Sequence, residues 1–490
     1  MLAILAPQIV LLVTVGFLAL TSLMRSGASR PGSVIICFTG MVIASLMQLR
    51  FYPLTFGTAQ SASVPPWLAV DPMGWVFTTV ILLIATAAVM TRRLRSYSGQ
   101  GDLRFCLLIT LSTVGWSLMP ALHSLPVMAG GMLLASLPLA MPSTFRAGDH
   151  LAFTTVALLA SLLVMLLALA ALSRGCSGLQ IGPALITTPH SASAWGGVLV
   201  ILFMTPMLFW AGSLPLIWWY GSAAGDAPAP VVLFLLVVPA IGSAAPYLRI
   251  MHRLIFIAPA AANVVTLTVI CLGALAVGAY GVKALFQFVV PDILGNIIGI
   301  FMACTFVTLA AGISLRHVAL ADLVGCVLLY ALTVGIALGS SVGIIGRKSL
   351  GLNQQWPSFA RVKPLHALLF LLALLSLGGL PPTLGSIARI ESFSAAGPGS
   401  VLGLAVLGIN ALGILMGSGA VMRVGSYAMM GMPEINQPLA VTDKRRKKRH
   451  LAGGVLLLLT AAGILNGLAL LAYNPIEQLA TAFAPAWVAR

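Results

Sequence analysis

Fourteen apolar stretches, each near the length that crosses a bilayer, succeed one another along the 490 residues, and most of the fixed positive charge falls in every second gap between them. They run roughly over 3–23, 33–49, 72–92, 104–122, 124–142, 151–173, 195–220, 228–248, 254–278, 294–312, 318–344, 366–390, 400–424 and 451–473. A helix needs about 20 apolar residues to span the hydrocarbon core. With charges at a segment's edge assigned to the adjoining gap, odd-numbered gaps hold 19 of the 26 Lys and Arg. The densest groups are Arg92, Arg93, Arg95 and Arg104; Arg347, Lys348, Arg361 and Lys363; and Lys444 to Arg449. Lys and Arg beside a span are retained on the cytoplasmic side, so these gaps read as cytoplasmic and both termini as non-cytoplasmic. The chain reads as an oriented, multi-pass, all-α membrane protein.

Composition excludes the soluble classes. With 60% hydrophobic residues, 7% charged and mean hydropathy +1.06, the apolar surface is too large for one water-soluble core at about 25 cal/mol per Å². A net charge of +16 raises the question of nucleic acid, but the charges are spread through loops between spans rather than gathered on one face, so no nucleic acid is expected. The run from Asp443 to His450 is explained by topology and anionic lipid head groups. Cys37, Cys106, Cys176, Cys271, Cys304 and Cys326 form no C-x-x-C pair, and no disulfide framework, zinc site or iron–sulfur site is indicated. The first segment lacks a basic n-region and a small-residue cleavage site, so 3–23 reads as a retained span.

The gaps are too short for a separate soluble domain, and 1–490 is read as one membrane domain. Two segments contain helix breakers: Pro206 and Pro215 in the seventh, and Gly378, Gly379, Pro381, Pro382 and Gly385 in the twelfth. Proline removes a helical hydrogen bond, and at membrane depth the freed carbonyl must find protein or water. Interrupted helices in corresponding halves mark ion routes in proteins built from inverted repeats, although ordinary transmembrane prolines produce the same signal.

Residues 374–396, LLSLGGLPPTLGSIARIESFSAA, resemble the twelfth-helix signature of the antiporter-like membrane subunits of respiratory complex I, SLAGIPP followed by GF, GK and F. Over 204–240, Phe209, Pro215, Trp219, Ala227, Pro228, Pro230, Val231 and Pro239 fall where that family has F-K-x-x-x-x-P-F-H-x-W and G-A-P-T-P-V. Ser136-Leu137-Pro138 resembles its E-L-L-S-L-P, and Asp71 in D-P-M-G-W resembles its D-x-x-s, with Asp71 read as a helix N-cap. Length and the D-A-P-A-P run look most like subunit N. The resemblance implies about fourteen helices, two inverted five-helix repeats at about 103–248 and 254–424, broken helices seven and twelve, and flanking helices at 3–92 and 451–473. It also implies residence in a bacterial inner membrane beside other membrane-arm subunits and lipids. Quinone, FMN and iron–sulfur clusters would lie in partner chains, with no cofactor and no catalytic or metal-binding residue here.

The family attributes proton movement to a glutamate in helix five, lysines in helices seven and eight, a histidine after the P-F pair, and a lysine or glutamate in helix twelve. Matched position by position, these fall on Leu133, Trp210, Ala240, Ile217 and Arg389. Leucine, tryptophan and alanine cannot exchange a proton, and arginine stays charged because its pKa exceeds about 12. The usual relay is therefore expected to be closed, with Trp210 as a bulky plug.

The remaining candidates for a proton path or fixed charge are Arg389, Glu391, Asp322 and His317. Arg389 reads either as a fixed charge facing a neighbouring subunit or as an end-of-helix charge snorkelling to the interface. Asp322, with Arg316 and His317 upstream, reads either as a surviving proton site or as a satisfied interfacial group. His150 and His366 open segments and read as interfacial. The function expected is a mainly structural, non-catalytic membrane-arm subunit of a complex I-like NADH:quinone oxidoreductase. The alternatives are a working proton- or cation-translocating subunit of a membrane-bound hydrogenase, Mrp-type antiporter or bicarbonate-accumulating complex, or a stand-alone secondary transporter.

Overall fold

Apolar runs that cannot face water close their backbone hydrogen bonds internally, and helices are the form the structure takes throughout. A computed structural model describes residues 5–24, 31–50, 68, 71–94, 101–140, 149–175, 194–213, 219–226, 229–314, 323–331, 333–335, 364–381, 383–395 and 400–430. Within it lie α1 (Ala6–Met24), α2 (Pro31–Arg50), α3 (Pro72–Leu94), α4 (Gly101–Leu118), α5 (Leu125–Ser136), α6 (Asp149–Gly175), α7 (Ala194–Trp210) and α8 (Trp219–Asp226). They are followed by α9 (Ala229–Ile257), α10 (Pro259–Phe286), α11 (Val290–Ser314), α12 (323–331), α13 (Pro364–Gly378), α14 (Leu384–Ala395) and α15 (Val401–Met430). Short 3-10 turns over Met119–Ala121 and Leu137–Ala140 finish the fourth and fifth segments. Segment fourteen, the basic run at 443–450, Ile217, Arg316, His317 and Asp322 lie outside the described residues.

The alternation read from charge has a geometric counterpart. At one end of the bundle the Gln8 amide reaches Ser117 O (3.4 Å), the Trp75 indole donates to Gln48 O (2.9 Å), Leu68 bridges Leu122, and Arg249 meets Asp71. Every one of these residues borders an even-numbered gap or the N-terminus. At the other end, a Cβ on Gly225 would meet the Asp292 carboxylate, and Arg423 donates to Leu285 O, joining gaps seven, nine and thirteen. Consecutive spans therefore run antiparallel.

Two helices occupy the centre: α9, whose apolar window is 100% buried, and α11, at 94%. The outer helices turn apolar side chains outward, among them Leu12 and Phe17 on α1, Val156 and Leu167 on α6, and Leu404 and Leu415 on α15. This is the packing of a chain whose solvent is lipid. Segment eight, expected to end at 248, runs on to Ile257 as α9. Arg249 lies inside that helix because Asp71 and a backbone carbonyl, rather than water, satisfy its charge.

Both expected breaks are present. At each, glycine sits in the left-handed region (Gly212 φ 67°, Gly379 φ 72°), where a side chain is strained. The hydrogen bonds are the same at both: Gly212 N to Phe209 O (3.0 Å) with Ser213 N to Leu208 O (3.0 Å), and Gly379 N to Ser376 O (3.1 Å) with Leu380 N to Leu375 O (3.0 Å). Each is a Schellman cap, which closes the last carbonyls of a half-helix inside the bundle. A Cβ on Gly385 would overlap Ser376 O, so the two halves of the twelfth span pack backbone against backbone.

Candidate functional site

The break between α7 and α8 is filled with aromatic rings. Trp210, the last residue of α7, is buried and donates its indole N–H to Ser136 Oγ at 2.9 Å. Its ring meets those of Trp116 (5.9 Å, 87°), Phe209 (5.3 Å, 86°) and Trp219 (5.2 Å, 89°) edge to face, while Phe209 and Trp219 stack at 5.5 Å and 4°. Such pairs add about 0.5–1.5 kcal/mol each beyond burial. The backbone is closed by the same residues. Trp219 Nε1 donates to Phe209 O (3.0 Å), and the Tyr220 hydroxyl donates to Trp210 O (2.8 Å). Two of the carbonyls at the end of α7, those of Phe209 and Trp210, thus accept from side chains of α8.

Trp116 lies so close to α9 that a Cβ on Gly242 would overlap its ring. Ala240 is fully buried on α9, and Leu133 is half-buried on α5 against the core. Of the five positions matched to the family's relay, Leu133, Trp210 and Ala240 present no group that exchanges a proton, and Ile217 is outside the described residues.

Arg389, on α14 beside the second break, is 4% exposed, while its neighbour Ile390 is 63% exposed. The guanidinium therefore does not snorkel to the interface. It lies 4.0 Å over the Phe301 ring, and a Cβ on Gly379 would come within 2.8 Å of its Cγ. The polar group in hydrogen-bonding position to it is the Cys304 thiol, the Tyr330 hydroxyl donates instead to Leu236 O (3.5 Å), and the Arg389 Nε has no acceptor. No carboxylate among the described residues forms an ion pair with it. Burying an ion costs several kcal/mol, whereas a desolvated cation–π contact contributes about 2 kcal/mol and a thiol is a weak acceptor. The end of α13 beside Gly379 adds up to about 2 kcal/mol through its carbonyl dipoles. Glu391, two residues on, is half-exposed and accepts a 3.4 Å hydrogen bond from Ser394.

A second polar cluster was not visible in the sequence as a cluster. Arg249, wholly buried, donates from Nη2 to Asp71 Oδ1 (2.7 Å) and from Nε to Pro120 O (2.9 Å), and its Nη1 faces His123 Nε2 at 3.4 Å. Asp71 Oδ1 also accepts from Gly74 N (2.8 Å), the N-cap of α3. The cluster ties α3, the link between α4 and α5, and α9 at one end of the bundle. Tyr220, Tyr330, Trp116 and Cys304 were likewise missed, because nothing in an apolar run marks which aromatic or thiol meets which. Among the described residues no three His, Cys, Asp or Glu side chains come together.

His123 lies in the link outside the spans. Burial first, then the charges of Arg249 and Arg253, push it down to about 3, with Asp71 opposing. Its folded value lies below the unfolded one near 6.5, so the unfolded chain binds the extra proton between them. The stability from neutral His123 is complete above about pH 6.5 and is lost as pH falls toward 3. Thermal unfolding in detergent at pH 5 should show a loss of about 1–2 kcal/mol relative to pH 7.5, and His123→Gln should remove most of that difference. An acid limb that persists unchanged in the variant would assign it to other groups.

No protein-family model matches the chain. It is 29% identical over 440 residues to NADH-quinone oxidoreductase subunit 14 of Thermus thermophilus, covering 88% of this chain and 90% of that one. It is 26% identical over 382 residues to NADH-quinone oxidoreductase subunit N of Beijerinckia indica subsp. indica, covering 74% and 77%. In fold it matches a chain of respiratory complex I from Thermus thermophilus with a TM-score of 0.72 at 20% identity, covering 96% and 99%. A chain of the Mrp complex from Dietzia sp. matches with a TM-score of 0.71 at 14% identity, covering 98% and 96%. The chain has the antiporter-like membrane fold and is similar in sequence to subunit N along most of its length.

Proposed function

We propose that this chain is a membrane-arm subunit of a complex I-like, quinone-linked assembly, in the place that subunit N occupies, and that its own ion relay is closed. On this reading it contributes packing surface and a seal against leakage. Other membrane-arm subunits are its partners, and the redox centres belong to partner chains. The repeats cover about 103–248 and 254–424, and both termini face the non-cytoplasmic side, since the basic gaps mark the cytoplasm.

The observation that carries this reading is the Trp210 indole, hydrogen-bonded to Ser136 and wedged between Trp116, Phe209 and Trp219 where the relay would need a lysine. The aromatic packing there puts no lysine at the position, and the Phe209 and Trp210 carbonyls are occupied by the Trp219 indole and the Tyr220 hydroxyl. The test is proton yield per electron in the reconstituted assembly carrying Asp322→Asn, His317→Gln or Glu391→Gln. The expected yield is that of the unsubstituted assembly at an equal rate of quinone reduction. A lower yield with normal electron transfer overturns the closed relay.

A second reading, translocation through the remaining groups, draws on one observation: the buried hydroxyls of Tyr220, Tyr280 and Tyr330 neighbour one another, and Tyr330 neighbours Arg389. Tyr280→Phe in the same assay separates the two readings, because only a path through the tyrosines loses yield with that hydroxyl.

A further inference from the structure

The seam between α10 and α15 closes on small residues. A Cβ on Gly281 would overlap the Met416 side chain, and one on Gly419 would come within 3.2 Å of Leu285 Cδ2. Each contact has exposed apolar neighbours: Val282 and Leu415 stand next to the first pair, Phe286 next to Leu285, and Met422 one turn beyond Gly419. The outer side of the seam is therefore an apolar strip, and it ends at a cation. Arg423 donates from Nη1 to Leu285 O, and its guanidinium lies 5.0 Å from the centre of the Phe288 ring, which is 63% exposed. Leu285 O belongs to the last turn of α10, where carbonyls without a helical partner favour a cation and hold the arginine across the seam.

We propose that the seam between α10 and α15 binds an anionic phospholipid, whose headgroup phosphate meets the Arg423 guanidinium and whose acyl chain lies along Val282, Phe286, Leu415 and Met422. A guanidinium carries five N–H donors in a planar fork that matches a phosphate, and donation to Leu285 O uses one of them while fixing the group in place. Lys283, in the same turn of α10, lies in the field of Asp292, so Arg423 supplies the charge that the headgroup meets. Cation, exposed ring and apolar strip follow one another in the order of a lipid: headgroup, boundary, chain. On the orientation proposed above, this end faces the cytoplasm, where anionic lipids attract basic residues at the membrane surface. The site holds whether the relay is open or closed.

The experiment is thermal unfolding of the full-length chain in neutral-detergent micelles with rising fractions of phosphatidylglycerol or phosphatidylcholine, or with free glycerol phosphate in place of lipid. Phosphatidylglycerol should raise the unfolding temperature and saturate at a lower fraction than phosphatidylcholine, because it binds the folded chain, and glycerol phosphate should leave the temperature where it was. Arg423→Gln should raise the half-saturating fraction of phosphatidylglycerol about tenfold by removing hydrogen bonds to a charge. Lys444→Gln, which removes one charge from the basic run, should change it by less than about twofold. Where Arg423→Gln does not fold, Phe288→Leu carries the test: losing the ring against the guanidinium should raise half-saturation about threefold. In the purified assembly, native mass spectrometry should find phosphatidylglycerol retained on the unsubstituted chain and depleted in the variant. Equal effects of Lys444→Gln and the seam variant would assign the shift to general charge attraction, an equal effect of glycerol phosphate would assign it to a free anion, and no retained lipid in the assembly would assign the seam to a neighbouring subunit. Each of these overturns the proposal. None bears on proton yield, so failure here and failure of the closed relay are distinguishable.

Discussion

Asp71→Ala is expected to destabilise the protein by about 3–5 kcal/mol, because it leaves the Arg249 guanidinium buried without its counter-charge. Arg249 is 0% exposed, and neither Pro120 O nor the neutral face of His123, which would remain beside it, carries a compensating charge. The same substitution removes the N-cap of α3, an effect of about 1 kcal/mol. Arg249→Met should cost less, since its hydrocarbon stem still packs and Asp71, 14% exposed, retains contact with solvent and with Gly74 N. The double variant Asp71→Ala/Arg249→Met should be more stable than Asp71→Ala alone. A double-mutant cycle read from denaturant-induced unfolding in mixed micelles measures the coupling. Strict additivity of the two single effects would show that the pair does not hold α3 to α9.

The spans within the described residues, their alternation and both breaks were legible because each follows from a local property. Segment length reports the bilayer, basic residues report the side, and Gly-Gly followed by Pro-Pro at 378–382 reports the interruption. Residues 72–92 became α3 (Pro72–Leu94) and 400–424 became the core of α15 (Val401–Met430), with edges moved by a few residues as caps and helix extensions dictate. Arg249 escaped for a physical reason. A charge at the end of an apolar run looks like a loop residue unless its partner is known, and Asp71 is 178 positions away.

Side-chain neighbours were illegible for a deeper reason. In a soluble helix the apolar stripe marks the buried face, but here lipid and protein interior are equally apolar, so the periodic signal vanishes. Cys271, exposed, and Cys304, buried, sit in runs that read alike. The burial of Arg389 was illegible too: Ile390, the next residue, faces outward, and one residue of rotation separates a snorkelling arginine from an enclosed one.

Trp210→Ala is expected to cost about 3–5 kcal/mol, the range for removing a large aromatic side chain from a packed interior. Three edge-to-face contacts disappear, and the Ser136 hydroxyl, itself fully buried, loses the indole donor it accepts from. Neighbouring rings cannot collapse into the space, because Phe209 and Trp219 are held by their stack and Trp219 is tied to Phe209 O. Trp210→Phe keeps most of the volume and should cost roughly a third to a half as much, chiefly the lost hydrogen bond and the smaller ring. Trp210→Lys combines the cavity with a charge that no carboxylate among the described residues can meet, so it should be the least stable of the three. Unfolding of each variant in mixed micelles, followed by tryptophan fluorescence, gives the ranking. A lysine variant as stable as the wild type would mean that water and counter-charge already reach this position, and the aromatic plug would then be no barrier.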